Sequence, residues 1–262
     1  MSDIPNKALG QHWLFDRPTL DSIAELADLS SKDTVLEIGP GLGSLTEVLC
    51  ERAGNVVAIE ADPSLAESLS SRVRHGNLEV VSEDILQYDL RLMPKDYKVV
   101  ANVPYYISSQ ILRRLWGGVA PPALAVLLLQ KEVAERVAAG PGDMSILAFS
   151  VQYYADVSLG DTVLKELFEP APQVDSVILQ MKKRQHPYFE ADEQQLFRIV
   201  KAGFGERRKK LANALAGGLQ LDKETSQQLV ADAGLDVNVR AQELSMQQWQ
   251  ELYHAWYHQI DK

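Results

Sequence analysis

Apolar residues arrive along this chain in two rhythms. Through the first two thirds they form short continuous runs, TVLEIG (34–39), NVVAIEA (55–61), LEVVSED (78–84), YKVVAN (97–102) and ALAVLLLQ (123–130). Runs of this length, rich in Val, Ile and Leu, fit strands buried on both faces. Between them apolar positions fall three and four apart. Leu42, Leu45, Val48 and Leu49 form one such stripe, and Pro63 opens another helix where its missing N–H is not needed. This alternation predicts a mainly parallel sheet with helices on both faces.

The rhythm changes twice. VSLGDTVLKEL (157–167) and VDSVILQMKK (174–183) read as strands with only FEPAPQ between them. That leaves no room for a crossover helix, so the two must run antiparallel, as a hairpin at one edge of the sheet. Beyond residue 185 the pattern is helical throughout, in DEQQLFRIVKAGF, ERRKKLANALAGGL, KETSQQLVADAGL and SMQQWQELYHAWYHQI. The expected organisation is an α/β domain over 1–185 and a small all-helical domain over 186–262, with HPYF (186–189) as the linker.

Composition narrows the class. With 46% apolar and 24% charged residues in 262, the chain has material for one large core or a main domain with an appendage. The single cysteine, Cys50, excludes an internal disulfide and a cysteine-based metal site, and it fits a reducing compartment. The longest apolar run, Ala123 to Leu129, is far too short for a spanning helix, and MSDIPNKALGQHW lacks a signal-peptide core. The expectation is a cytoplasmic protein with neither membrane nor metal. A net charge of −10 argues against a strongly electrostatic nucleic-acid binder. One stretch stands against that mean: from Lys182 to Leu215 nine Lys and Arg face four acids, a local +5.

The chemistry concentrates at strand ends. EIGPGLG (37–43) closes the first strand with a Gly-x-Gly-x-Gly turn into a helix, which lets backbone approach a ligand closely. Glu60 closes the second strand about 20 residues on, the spacing of a carboxylate that accepts from a ribose diol. NAD and S-adenosylmethionine both carry such a diol. Ser44 stands where the dinucleotide fingerprint has its third glycine, Glu37 precedes the loop within the strand, and Asp84 closes the third strand, where it could accept from an adenine amine. Three acids around one loop suit a cationic, unphosphorylated ligand better than a pyrophosphate. S-adenosylmethionine is the favoured cofactor, on a Rossmann-like methyltransferase sheet.

NVPYYI (102–107) ends the fourth strand and opens onto the same crevice. The amine of a nucleobase is a poor nucleophile because its lone pair is delocalised into the ring. The Asn102 side-chain oxygen and a backbone carbonyl near Val103 or Pro104 could hold its two hydrogens and aim the lone pair at a sulfonium methyl. Pro104 stiffens the turn, and Tyr105 offers a stacking face, a contact worth about 1–3 kcal/mol per base. No general base is needed before attack, and no His or Cys adjoins these motifs in sequence.

Together these residues resemble the ribosomal RNA adenine dimethyltransferase family, with its small-subunit (KsgA-type) and erythromycin-resistance branches. The resemblance covers nearly the whole chain. ALGQHWL (8–14) is similar to the family's entrance motif, with Trp13 for the usual Phe. EIGPGLGSLT, NVPYYIS, LQKEVAERVAAGP (128–141), FEPAPQVDS (168–176) and FGERRKKLANAL (204–215) follow in family order. The resemblance implies that His12, Leu14, Gly39, Glu60, Asp84 and Asn102 line the cofactor site, and that Tyr105 and Phe168 sandwich the target adenine. It implies that Lys182, Lys183, Arg184, Arg207, Arg208, Lys209 and Lys210 meet rRNA phosphates.

The implied reaction is successive dimethylation of adenine N6, on two adjacent adenosines in a hairpin near the 3′ end of 16S rRNA in the 30S subunit, by a monomer. Rival readings are a 23S rRNA methyltransferase of the erythromycin-resistance type, a non-catalytic assembly or transcription factor on the same fold, and a small-molecule methyltransferase. The FEPAPQVDS and LQKEVAERV blocks favour the small-subunit branch. Two features depart from the family: GDMSILAFS (142–150) lacks its usual Tyr-Gly-Arg, and the chain is acidic where relatives are basic.

Overall fold

The computed structural model describes residues 11–206 and 208–260. Five strands run parallel: β2 (Thr34–Ile38), β3 (Asn55–Glu60), β4 (Leu78–Ser82), β5 (Lys98–Asn102) and β6 (Leu124–Gln130). β7 (Ala155–Val163) and β9 (Ser176–Lys183) complete a seven-stranded sheet in the order β4-β3-β2-β5-β6-β9-β7. β9 is antiparallel to β7, as the absence of a crossover helix between them requires, and antiparallel to β6 as well. Two further short strands, β1 (Trp13–Leu14) and β8 (Phe168–Glu169), pair only with each other.

The chain winds outward from β2 through β3 to β4, then returns to the other side of β2 with β5 and β6. The order therefore reverses between β2 and β5, where the connections leave in opposite directions and open a crevice beyond the carboxyl ends of the strands. The faces are closed. Val35, Val56, Val100 and Val126 pack on one side with Ile23 of helix α1 (Arg17–Leu26) and Leu49 of α2 (Ser44–Arg52). The alternate positions Leu36, Val99, Ala101 and Leu127 are equally buried. Alternation is therefore invisible in the sequence of these strands, which read as continuous apolar runs.

Helix starts follow local chemistry. Asp16 accepts from Thr19 N at 3.0 Å to cap α1, an element whose pattern the sequence reading left unassigned. Asp62 accepts from Ser64 N at 2.9 Å at the start of α3 (Pro63–Arg72), with Pro63 at the first helical position. The strand expected over 157–167 stops at Val163. Asp175 Oδ1 accepts from Lys165 N at 3.0 Å there, and the backbone turns into a short 3₁₀ segment, Lys165–Leu167, instead of continuing the ladder.

The chain forms two compact units. The sheet unit runs to Glu135 and adds Ala155–Lys183; the second comprises Arg136–Tyr154 and the chain from Arg184 onward. The break at Lys183/Arg184 lies two residues before the boundary read from sequence. The second unit also takes in 136–154, which the sequence reading assigned to the first domain. The reason is aromatic packing. Helices α4 (Ser108–Trp116), α5 (Lys131–Ala138) and α6 (Ile146–Gln152) follow in chain order, and Phe149 of α6 meets Trp249 edge-on with ring centroids 5.7 Å apart. Tyr153 contacts Phe189 at 5.3 Å and donates its hydroxyl hydrogen to the Phe189 carbonyl at 2.9 Å.

The remaining helices are α7 (Glu193–Phe204), α8 (Leu211–Leu219), α9 (Lys223–Asp232) and α10 (Met246–Ile260). α7 and α8 approach so closely that a Cβ on Gly218 would lie 2.5 Å from the Ala202 Cβ and 2.7 Å from its Cα. Gly218→Ala gains helix propensity worth under about 1 kcal/mol. It meets backbone that cannot yield, and overpacking of this kind costs about 1–3 kcal/mol. The variant should therefore melt several degrees lower than the parent in thermal denaturation. Gly76→Ala, where an added methyl meets nothing within 4 Å, should not.

Candidate active site

The crevice at the switch point is a cavity of about 380 Å³, within the range of small-molecule sites. His12, Leu14, Gly39 and Glu60 line it, and so do Asp84, Asn102, Pro104 and Tyr105. Every cofactor-site and catalytic residue expected from sequence thus borders one space. Of the entrance motif, Ala8 to Gly10 fall outside the described residues.

The glycine loop joins β2 to α2. Gly39, Gly41 and Gly43 all have positive φ, and a Cβ on Gly41 would come 3.1 Å from Trp13 Nε1. The loop is held by Glu60, which accepts from Gly41 N at 3.0 Å through Oε2 and from Asp62 N at 2.9 Å through Oε1. Burial nevertheless pushes its carboxyl above the usual range, with these N–H groups opposing. Asp84 lies exposed two residues beyond β4, its Oδ1 accepting from Leu86 N at 2.9 Å.

Glu37 is 1% exposed, and its Oε2 has no hydrogen-bond partner. Burial pushes this carboxyl up from 4.5 to about 8, with the Thr46 hydroxyl opposing and the charge of Glu60 adding to the effect. Glu83 also lines the cavity. Among the described lining residues there are four acids, Glu37, Glu60, Glu83 and Asp84, and no Lys or Arg. Such a lining repels phosphate and complements a cation.

The NVPYYI turn leaves β5 on the opposite side of the crevice. A Cβ on Gly39 would lie 3.5 Å from Pro104 Cδ, so loop and turn are in direct contact. Asn102 Nδ2 donates to the His12 carbonyl at 3.1 Å. A carbonyl only accepts, so this bond fixes which end of the amide is the NH₂ and turns Oδ1 the other way. Tyr105 shares a 2.7 Å hydrogen bond with Ser176 Oγ, and burial raises its phenol. Tyr106 is 56% exposed at the rim.

Sequence reading found no histidine beside these motifs, because His12 is distant along the chain. The structure stacks the His12 ring on Tyr105, centroids 5.5 Å apart and planes 23° from parallel, with Nδ1 donating to the Pro170 carbonyl at 2.7 Å. Phe168 does not line the cavity. It is 4% exposed, opposite Leu14 in the β1/β8 pair. Ser176 was missed as well, although it stands in the quoted FEPAPQVDS block.

The expected RNA-contact residues scatter. Lys182 pairs with Leu124 at the amino end of β6, so Lys182 and Lys183 lie at the edge of the sheet opposite the cavity. In the second unit, the Arg184 guanidinium sits 5.1 Å over the Tyr188 ring, Lys209 pairs with Glu206, and Lys210 donates to Asn238 Oδ1 at 2.6 Å. Arg208 is exposed, and Arg207 falls outside the described residues.

A parallel sheet with its crevice at the order reversal, a glycine loop tied to a strand-end acid, and an anionic cavity define a methyltransferase that takes its methyl from S-adenosylmethionine. The residues present fit that cofactor: Glu37 is a buried acid with an unpaired oxygen at the cavity, and among the described lining residues there is no Lys or Arg for a pyrophosphate. The chain belongs to the ribosomal RNA adenine dimethylase family, whose profile matches residues 3–257.

Ribosomal RNA small subunit methyltransferase A of Dehalococcoides mccartyi is 42% identical over 251 residues, covering 94% of this chain and 86% of that protein. The protein of the same name from Bacillus cereus is 38% identical, covering 95% and 90%. Among solved structures, a dimethyladenosine transferase from Plasmodium falciparum matches with a TM-score of 0.82 at 25% identity, over 95% of this chain and 98% of that one. The 23S rRNA methyltransferase ErmE matches at 0.75 and 29%, over 93% and 98%.

The position of Glu37 sets the sign of a pH effect. Its folded-state value, about 8, lies above its ordinary 4.5, so the folded protein holds this proton more tightly than the unfolded chain does. The stability this contributes is complete below about 4.5 and is lost as pH rises through about 8. Glu37→Gln carries no such dependence. Thermal denaturation without cofactor should find the variant gaining on the parent by several degrees between pH 6 and pH 9; parallel curves would mean that Glu37 ionises freely in the fold.

Proposed function

We propose that this chain dimethylates N6 of adenosines in small-subunit ribosomal RNA, on two adjacent residues of the hairpin near the 3′ end of 16S rRNA. The observation that carries the reading is Asn102. Its amide is oriented by the His12 carbonyl, and it stands where β5 enters the crevice, one turn from a half-buried Tyr105. The small-subunit branch is supported by the names of relatives at 42% and 38% identity, against 29% for ErmE.

In this reading the target adenine leaves its stack and enters from the Tyr106 rim. Extruding a base costs a few kcal/mol, least in a single-stranded loop. The base stacks on Tyr105, whose ring is held in plane by the Ser176 hydrogen bond. Phe168 would have to leave its packing against Leu14 to serve as the second face. Asn102 Oδ1 and the carbonyl at Val103 or Pro104 accept the two N6 hydrogens, which draws the lone pair out of the ring and aims it. Pro104 keeps these acceptors from turning away. The cofactor, when bound, supplies an electrophilic methyl; Glu60 and Asp84 orient its nucleoside end. The nitrogen releases one proton after each transfer; the monomethylated amine keeps one N–H, which one of the two acceptors holds in the second round.

Arg208, Lys209, Lys210 and the Lys182–Arg184 run serve as phosphate contacts in this reading, with the protein acting as a cytoplasmic monomer on the 30S particle. Mass spectrometry of rRNA nucleosides after incubation with unmethylated 30S particles and S-adenosylmethionine should find dimethyladenosine in 16S rRNA. Asn102→Ala should lower the rate by about 100-fold or more, the typical cost of removing one preorganised polar contact to the reacting group. Modification of 23S rRNA instead would assign the chain to the other branch, and full activity in the variant would refute the role given to Asn102.

A further inference from the structure

Glu37 has no part in holding the target base, and Glu60 and Asp84 already account for the nucleoside end of the cofactor. Yet its carboxyl is sealed at the bottom of the cavity, with one oxygen unpaired. Among the described lining residues no Lys or Arg stands against it. On α2 it faces Thr46, whose hydroxyl opposes the rise of the carboxyl, and Cys50, whose thiol burial drives up to about 12 with the Glu37 and Glu47 charges adding. Glu47 itself accepts from His75 Nε2 at 2.8 Å. On β3 it faces Glu60. Across the cavity stand Glu83 and Asp84, the phenols of Tyr105 and Tyr106, and the His12 imidazole, engaged through Nδ1 with Pro170.

We propose that Glu37 is the residue by which the cavity distinguishes the charged methyl donor from its spent form: it gives up a proton when the donor binds and recovers one after the methyl has left. The donor carries a net charge of +1 at neutral pH and the spent thioether 0. The described lining holds no Lys or Arg, so the sulfonium charge arrives with the donor. An ionised Glu37 is costly in the empty cavity and is compensated only while that charge is present.

The balance closes. In each transfer a C–N bond forms at adenine N6, the C–S bond breaks with its electron pair left on sulfur, and N6 releases one proton. The sulfonium charge has gone from the cavity, so Glu37 takes up one proton from solvent and its carboxyl is neutral again. The donor is thereby favoured over the product, and product release is favoured at the point where a second methyl is needed.

The linkage has a definite direction. A group that ionises near pH 8 when the cavity is empty, and lower when the donor is bound, makes donor affinity rise with pH up to about 8 and level off above it. The test is isothermal titration calorimetry of the full chain with S-adenosylmethionine, S-adenosylhomocysteine and sinefungin, in which an amine-bearing carbon replaces the sulfonium. Titrations in phosphate, Hepes and Tris give the protons exchanged, and comparison with Glu37→Gln removes the contribution of the ligand's own amine.

At pH 7 the parent should release on the order of 0.5–0.9 proton more than the variant on binding S-adenosylmethionine, and at pH 9.5 almost none, as expected for a group ionising near pH 8. Sinefungin should behave like the donor and S-adenosylhomocysteine should not. The preference for donor over product should narrow several-fold in Glu37→Gln. Should that variant fail to fold, the contrast between sinefungin and S-adenosylhomocysteine in the parent decides alone. Equal proton release for charged and neutral ligands, or release that persists in Glu37→Gln, would overturn the proposal while leaving the cofactor assignment intact. Absence of any binding heat in the parent would overturn both.

Discussion

A parallel sheet covered on both faces has no surface left for chemistry except the ends of its strands. Leu36, Val56 and Val99 are fully buried, so any ligand must meet the sheet edge-on. The order β4-β3-β2-β5-β6 leaves one place where the connections part, beyond Ile38 and Asn102. The other features of the site are consequences. The glycine loop is there because β2 must turn into α2 without filling the crevice, and Glu60 is there because β3 ends beside that loop. Asn102 is there because β5 ends on its far side.

The parts on either side of the crevice are stitched together by a few polar contacts that the sheet alone would not supply. Glu60 ties the glycine loop to the start of α3. His12 ties the entrance segment to two separate pieces of chain at once: the Pro170 carbonyl and the turn after β5, through the Tyr105 ring and, by its own carbonyl, the Asn102 amide. The antiparallel β9 contributes Ser176, its first residue, which lies opposite Gln130 and bonds Tyr105. A tyrosine on a short 3₁₀ turn would otherwise be free to rotate. Here its hydroxyl is fixed to the sheet and its face to an imidazole.

How much of this could be read from the amino acids follows from the range of the interactions. The five parallel strands were legible because continuous Val, Ile and Leu runs have no other economical fold, and the antiparallel pair because FEPAPQ is too short for a crossover. The residues that line the crevice were legible because strand ends carry Gly and acids at set spacings. The placement of 136–154 was not legible, since it depends on Phe149 finding Trp249, 100 residues later. Nor was the stack of His12 on Tyr105, which joins residues 93 positions apart, or the end of β7, which a single side chain, Asp175, decides. The basic run near 182–184 looked continuous in sequence but is divided by the unit boundary at Lys183/Arg184.

The acidity of the chain, which sits badly with an anionic substrate, becomes easier to understand when its charges are located. Four of the acids line the cavity, where no lysine or arginine balances them among the described residues, and the charge they complement arrives with the methyl donor. Other acids are engaged locally, Asp16, Asp62, Asp192 and Asp222 at helix starts and Glu206 with Lys209. A negative total therefore says little about the field an RNA meets at any one surface, because opposed charges more than about 8–10 Å apart are screened from one another at physiological salt. What the acids do determine is the interior of the crevice. A site that binds a sulfonium, releases a thioether and binds a sulfonium again is served by an affinity that depends on one unit of charge, and a buried carboxyl with no Lys or Arg beside it among the described residues is suited to that dependence.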